Sequence, residues 1–528
     1  MSGGVSPSPG LPPRVPRMPE MDLIRVINRY EFVKNKIITL CPYSIPIYTF
    51  ISFAKKSRMD FSDDNSWQEE EGLNELIGRF DRMLTQGEQY FFDVDELEMI
   101  IDHYLMFDKP DKSEAAVDFA INQHPNNTVL LLKKAQILAS SNKIKRAMEI
   151  LAEIERMEPD NTELFLTKGA IYSQLKKYEK AIEEYNKALR EAEDLEEIYS
   201  NIAFEYENLG KYEKALEYLK KVLEINEDNE GIIFEISFCY EIMDNNEEAI
   251  RFFTAHLDKN PYARAAWFNL GIAYSNIDEY EKAIDAYDYC LAIDPVYTTA
   301  LFNKGNALAN LGLYEKAIEA YRETALTEEP DGMTYYYIGE CYEKTGRIKE
   351  AVRNYLKATE IDPLLTVAWF ALAVIFDERD NHSGAVRYIE KAIAAEPLNP
   401  EYWYLLGDIQ YKADNLDEAE EAYKKVSEFD LLHPDIWLDY SHVLAMKDDY
   451  KAAVECVDEG LRHQPGNVEL FYRKFVYLFK AGRNKEAYSV LTEALSADYD
   501  AHYEIFDYDP GLKDLPVLGS FIESFRKI

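Results

Sequence analysis

Five cysteines and eight histidines are the side chains of this 528-residue sequence best suited to nucleophilic or metal chemistry. Cys41, Cys239, Cys290, Cys341 and Cys456 are odd in number and form no close pair, so their spacing suits neither a disulfide framework nor a Cys-x-x-Cys metal site. The four after Cys41 fall inside apolar helical patterns, where cysteine acts as a small hydrophobe. Reduced thiols in a cytoplasmic protein is the simpler reading. The histidines are scattered, with no His-x-x-x-His or His-Glu-x-x-His pair. Phosphate-cradling Gly-rich loops, a Gly-x-Ser-x-Gly elbow and zinc spacings are also missing from the sequence. Carboxylates are abundant, but they are spread as solvated helical faces are. The expectation is a protein without catalytic residues, cofactor or metal.

Charge narrows the partners. Lys plus Arg total 58 against 97 Asp plus Glu, a formal charge of −39. Sequence-independent nucleic-acid binding needs clustered cations, so nucleic acid is excluded as a partner. An anionic membrane surface is disfavoured for the same reason. The acid is not evenly spread, because residues 1–58 hold nine Lys or Arg against Glu20, Asp22 and Glu31. That segment also contains eight of the 21 prolines and an uncharged run over 37–54. Pro42 and Pro46 weaken this run as a membrane span, and no small-x-small site ends it as a signal peptide would. Composition changes character at Met59. Residues 1–58 are therefore read as an extension that is disordered or belongs to a mis-assigned start, with an anchor over 37–54 as the alternative.

The elements beyond it follow a ruler of 34 residues. Trp267, Leu270, Gly271, Tyr274, Ala283, Tyr287 and Pro295 recur, with substitutions, as Leu301, Gly305, Leu308, Ala317 and Tyr321, then as Tyr335, Ile338, Gly339, Tyr342, Ala351, Tyr355 and Pro363. The ruler runs from Val94 to Ala501 without insertion, which makes twelve units. Position twenty is Ser113 in the first unit and alanine in the other eleven, from Ala147 to Ala487. Position eight is small in ten units, the exceptions being Ile101 and Phe475 at the ends. Each unit shows two apolar stripes at three- and four-residue spacing around a short turn, so it is expected to be a helix hairpin. Small residues at positions eight and twenty let the two helices approach, and large ones at position 24 fill the space towards the next unit. One hairpin cannot bury its own apolar face, so the units must stack as an α-solenoid.

This pattern resembles the tetratricopeptide repeat (TPR) family. The resemblance implies an all-α, right-handed superhelix whose first helices line a concave groove, and it implies protein binding rather than catalysis. Capping helices are expected at both ends, in residues 59–93 and 502–528. Asp93 with Glu96 forms a capping-box start to the first unit. Only 27 residues follow the array and 93 precede it, which leaves this sequence no stretch for an appended catalytic domain.

In this family the groove is faced mainly by positions 2, 5, 9, 12 and 13. Position five is Phe234, Phe268, Phe302, Tyr336, Phe370 and Tyr404 in six consecutive units. With rungs about 10 Å apart, such a ladder would grip roughly 15 residues of extended chain. Asn201, Asn269 and Asn303 at position six are placed to bond a ligand backbone, and Asn306 with Asn310 extends that patch. Packing against the neighbouring first helix explains the same aromatics and asparagines equally well, and both readings stand. The five groove positions hold fifteen Asp or Glu against Lys344, Lys412 and Lys480. Such a groove suits a segment carrying Lys or Arg among apolar residues, although acid also keeps a long solenoid soluble. Carboxylate-clamp members differ, since they use groove cations, and only Arg473 is suggestive of that here. The expected function is a non-enzymatic adaptor that holds a peptide segment of a partner. The alternative is a membrane-tethered component of an assembly or secretion machinery.

Overall fold

The computed structural model of the chain describes residues 66–87, 90–107, 109–192, 194–327 and 331–526. The 37–54 run, Cys41 and the change of character at Met59 lie outside the described residues. All described secondary structure is helical: 27 α-helices and two short 3-10 turns. No helix among the described residues is long and apolar enough to cross a membrane. Two compact units divide the chain, residues 1–244 and 245–528, and each is taken by itself.

Three local rules, repeated along the ruler, produce the helix pairs. The first is the entry. Asn127, Asn161 and Asn229, each one residue before a first helix, accept from the backbone N–H of Leu130, Leu164 and Ile232 at 3.0, 2.9 and 3.2 Å. These bonds satisfy donors that a helix start leaves unpaired. The second rule is the turn between paired helices. Position fifteen takes positive φ in eleven units, as Asn142, Lys176, Gly210, Asp244, Asp278, Gly312, Gly346, Asp380, Asp414, Asp448 and Gly482. Glycine, aspartate and asparagine tolerate that conformation, whereas Lys176, at φ 56°, does so without help from its side chain type.

The third rule sets how closely the helices pack. The eleven alanines and Ser113 at position twenty are all buried, none more than 3% exposed. Position eight is glycine in five units, and in those same five position 24 is tyrosine. A Cβ on Gly169, Gly271, Gly305, Gly339 or Gly407 would sit 2.3, 2.4, 2.6, 2.7 or 2.5 Å from the ring of Tyr185, Tyr287, Tyr321, Tyr355 or Tyr423. Where position eight keeps a Cβ, position 24 lacks the phenol: Ala135 accompanies Leu151, Ala203 accompanies Leu219, and Ala373 accompanies Ile389. The missing side chain is the space that the ring occupies.

The ends are closed by apolar packing. Helix Ser66–Gln86 buries Leu76, Ile77 and Phe80 in one cluster with Leu97, Ile100 and Tyr104. Asp93 accepts from Glu96 N–H at 2.8 Å and Asp93 N–H donates to the Glu96 carboxylate at 3.0 Å, completing the capping box. At the other end helix Pro516–Phe525 places Leu518 and Ile522 in the cluster that holds Leu491 and Leu495. Cys239, Cys290, Cys341 and Cys456 are buried and form no disulfide.

Gly305→Ala is expected to lower stability by about 1–3 kcal/mol through overpacking, read as a fall in the urea midpoint. The double variant Gly305→Ala/Tyr321→Leu recreates the native Ala203–Leu219 combination and should recover most of the loss; an unshifted midpoint for the single variant rejects the interlock. Lys176→Gly should instead raise stability by about 1 kcal/mol or less, as relief of left-handed strain outweighs the entropy of glycine.

Candidate peptide-binding groove

Four of the buried tyrosines that fill the glycine notches carry their hydroxyls to polar side chains of the first helices, whereas the Tyr185 hydroxyl is buried without such a contact. Tyr321 donates its hydroxyl to Asn306 Oδ1 at 2.7 Å, Tyr355 to Glu343 at 2.7 Å and Tyr423 to Asp408 at 2.6 Å. Tyr287 lies 3.3 Å from the Ser275 hydroxyl. Asn306 and Asp408 are position nine of their units, and Ser275 and Glu343 are position twelve. Core packing thus orients the polar groups that a groove ligand would meet. With its oxygen taken, Asn306 offers the groove its amide NH2.

The position-five rings of the second unit each pack one side against protein. Phe302, half-buried, lies 5.6 Å from Tyr321 and 5.5 Å from Tyr337. Tyr336 is 5.5 Å from Tyr355, and Phe370 is 5.6 Å from Tyr402. Tyr404 packs against Tyr423 and His433 and donates to Asp439 at 2.6 Å. Phe268 differs. It is 0% exposed, enclosed by Tyr287 and Tyr297, and is a packing residue rather than groove surface. Its neighbour Asn269 is also buried and turns its Nδ2 back to the Ala265 carbonyl at 2.8 Å, so it does not face a ligand. Asn303 is half-buried, and Asn310 is exposed with its Nδ2 on the Asn306 carbonyl at 2.9 Å. Phe234, half-buried, belongs to the first unit.

Between these rings runs a line of carboxylates on successive first helices, namely Glu340, Glu343, Asp377, Asp408 and Asp439. Burial raises Glu340 and Glu343 above the ordinary carboxylate range. Burial likewise pushes Asp408 up to about 7, with nearby Asp439 adding to the rise and the Tyr423 hydroxyl opposing it. Asp377 escapes isolation, because Lys412 reaches across from the next first helix to 2.6 Å. Towards the chain end the line gives way to neutral contacts. Tyr411 and Tyr508 both bond His442 at 2.8 Å, and burial lowers that imidazole to about 4, so it is neutral at pH 7. Arg473 lies over the Tyr508 ring at 3.9 Å and pairs with Glu469, which commits the cation that a carboxylate clamp would need.

In the first unit, burial also raises Glu207 and Glu235 to about 7 and about 8, and the Cys239 thiol donates to Glu207 at 3.5 Å. Sequence periodicity placed these acids on the first helices but carried no sign of their burial. Nor did it show that position 24 holds positions nine and twelve. The glycine–tyrosine pairing was the available signal. No group of three or more His, Cys, Asp or Glu among the described residues is placed to hold a metal.

Models of the tetratricopeptide repeat match residues 162–195, 196–229, 265–297, 302–364 and 369–429. No curated protein sequence matches the chain. Among solved structures it is similar to MamA, at 29% identity over 31% of this chain and 95% of that one, with a TM-score of 0.28. It is similar to YrrB, described as a TPR protein with an unusual peptide-binding site, at 21% identity over 37% and 97% with a TM-score of 0.30. The Cut9–Hcn1 hetero-tetramer of APC/C aligns at 14% identity over 80% and 94%, with a TM-score of 0.33.

Because the folded state holds Asp408 above its unfolded value, its ionisation removes stability as pH rises towards and through about 7. Asp408→Asn keeps the acceptor for Tyr423 without the charge. Its melting temperature relative to wild type should therefore climb between pH 4 and pH 8 and then level; a flat difference would show that the carboxyl is solvated.

Proposed function

Since the chain belongs to the tetratricopeptide repeat family, we propose that it is a non-enzymatic adaptor whose first helices hold a segment of another protein. The occupant we favour is a segment with Lys or Arg spaced among apolar residues, bound along residues 302–440. One observation carries this reading. Half-buried aromatic rings, Phe302, Tyr336, Phe370 and Tyr404, alternate with carboxylates that lack enough solvent to be ordinary acids. A cation entering there replaces lost hydration of Glu340, Glu343 and Asp408, and adjacent ring faces add cation–π attraction. Asn306 and Asn310 supply amide groups for the ligand backbone. YrrB is described as having a peptide-binding site, which agrees with this use of the fold without identifying a ligand.

Such binding must be linked to protons. A basic segment favours the ionised form of Asp408, so complex formation releases protons near neutral pH and affinity increases from pH 6 to pH 8. The site also explains why Phe268 is unsuited to mutational testing: truncating a fully buried ring opens a cavity and costs stability of about 3–5 kcal/mol.

Site-specific photocrosslinking tests the groove without disturbing packing. A photoreactive residue at Asn310 or Lys344, both exposed on first helices, should give a discrete partner adduct in cells. The same residue at Glu319, exposed on second helix Tyr314–Thr327, should give none. Adducts from Glu319 alone would reject the groove.

A further inference from the structure

A second surface lies on the loops that join one helix pair to the next, away from the groove. Position 33 of the ruler falls in these loops. In the first unit it is polar: Asn126, Asp160, Asp194 and Asp228, all exposed. In the second unit five of its eight occurrences are large apolar residues in solvent, Tyr262, Val296, Leu364, Leu398 and Leu432, exposed 83, 66, 74, 72 and 69%, and Gly466 and Asp500 end the run. Single exposed leucines are ordinary, but leucine at one loop position in three successive repeats, Leu364, Leu398 and Leu432, is a row.

The last three loops form its densest part. Contacts hold them side by side: Thr366 donates to Glu396 at 2.9 Å, and Glu401 approaches His433 Nε2 at 3.9 Å. Ile361, Phe429 and Leu431 add further exposed apolar area next to Leu364 and Leu432. Residues 361–366, 395–401 and 429–435 include Asp362, Glu396, Glu401, Asp430 and Asp435, and no Lys or Arg. Asp362 and Asp430 each use one oxygen to bond the backbone N–H of the exposed leucine two residues on, at 2.9 and 3.0 Å. Those bonds fix the turn backbone that carries the exposed leucines. Leu431 also lines a cleft of about 440 Å³ whose floor includes Trp437 and Leu444 and whose walls carry four glutamates against Lys424.

We propose that this leucine-bearing loop edge, from Leu364 to Leu432 and the adjoining cleft, is a docking surface for a basic amphipathic helix of a partner protein. Charge complementarity selects that occupant. A second copy would set acid against acid, and a chain of net charge −39 is repelled by anionic lipid. Neighbouring units repeat at about 10 Å, so three loops span about 20 Å, matched by about 14 residues of helix. Leucines of that helix cover the loop leucines, its lysines meet the flanking carboxylates, and one side chain enters the cleft. This surface leaves the groove free, so one adaptor can hold two segments at once.

The test uses the full chain and a fluorescein-labelled helix of about 14 residues containing only leucine and lysine, with its leucine–glutamate counterpart as control. Wild-type protein should bind the lysine helix and not the glutamate one. Because the groove also suits a basic apolar segment, wild type should bind two lysine helices. Leu364→Asp/Leu398→Asp/Leu432→Asp should weaken one of the two sites about tenfold or more, with unchanged melting, because aspartate already occupies this loop position at Asp160 and Asp228. Leu313→Asp, the same change in an exposed turn at the opposite end of its helices, should bind as wild type. Equal affinity of the triple variant, or of the glutamate helix, overturns the proposal. So does self-association by light scattering that the triple variant abolishes, which assigns the edge to a second copy. Flotation of wild type but not the triple variant with phosphatidylcholine vesicles would assign it to lipid.

Discussion

In five helix pairs a tyrosine ring from the second helix lies where a glycine of the first helix has no side chain, and in four of them its buried hydroxyl meets a polar side chain of the first helix. That single interlock serves packing and presentation together. The glycine lowers helix propensity by about 1 kcal/mol, yet it admits a large aromatic surface into the hairpin core. The tyrosine then needs a partner for its buried hydroxyl, and Asn306, Glu343 and Asp408 provide it at 2.7, 2.7 and 2.6 Å. Groove chemistry is therefore tied to core geometry. A change at position eight reaches the polar side chains of the first helix through the ring.

The acid in the chain divides into two physical kinds. Carboxylates of the loops, such as Asp362 and Asp430, stay in contact with solvent and act as local caps and as a source of surface charge. Those of the first helices are partly withdrawn from water, which raises Glu340, Glu343 and Asp408 and makes an arriving cation worth more than it would be on a solvated face. A formal charge of −39 is thus an average over sites with different affinity for protons.

Periodicity alone located the helix pairs, because position eight, position twenty and the loop prolines recur at a spacing that only stacked hairpins satisfy. The position-fifteen turns were half visible: four are glycine, but five are aspartate, and nothing local to Lys176 marks its left-handed backbone. The aromatic ladder was legible as a row and illegible as a surface. Phe268 and Phe302 share a position and a residue type, yet the first is enclosed by Tyr297 and the second keeps a face partly open, and the difference comes from neighbours on other helices. Asn269 at position six is bonded back to its own helix, whereas Asn306 at position nine is held by Tyr321.

Composition and spacing by themselves determined the all-α repeat, its register, its family and the absence of recognisable catalytic motifs. These depend on local propensity and on contacts at fixed sequence separation, which a linear pattern records. Tertiary structure decided which rings and amides reach solvent, which carboxylates are desolvated, and that the position-33 leucines line one edge. Burial is a property of everything that surrounds a side chain, and those surroundings come together only when the hairpins stack.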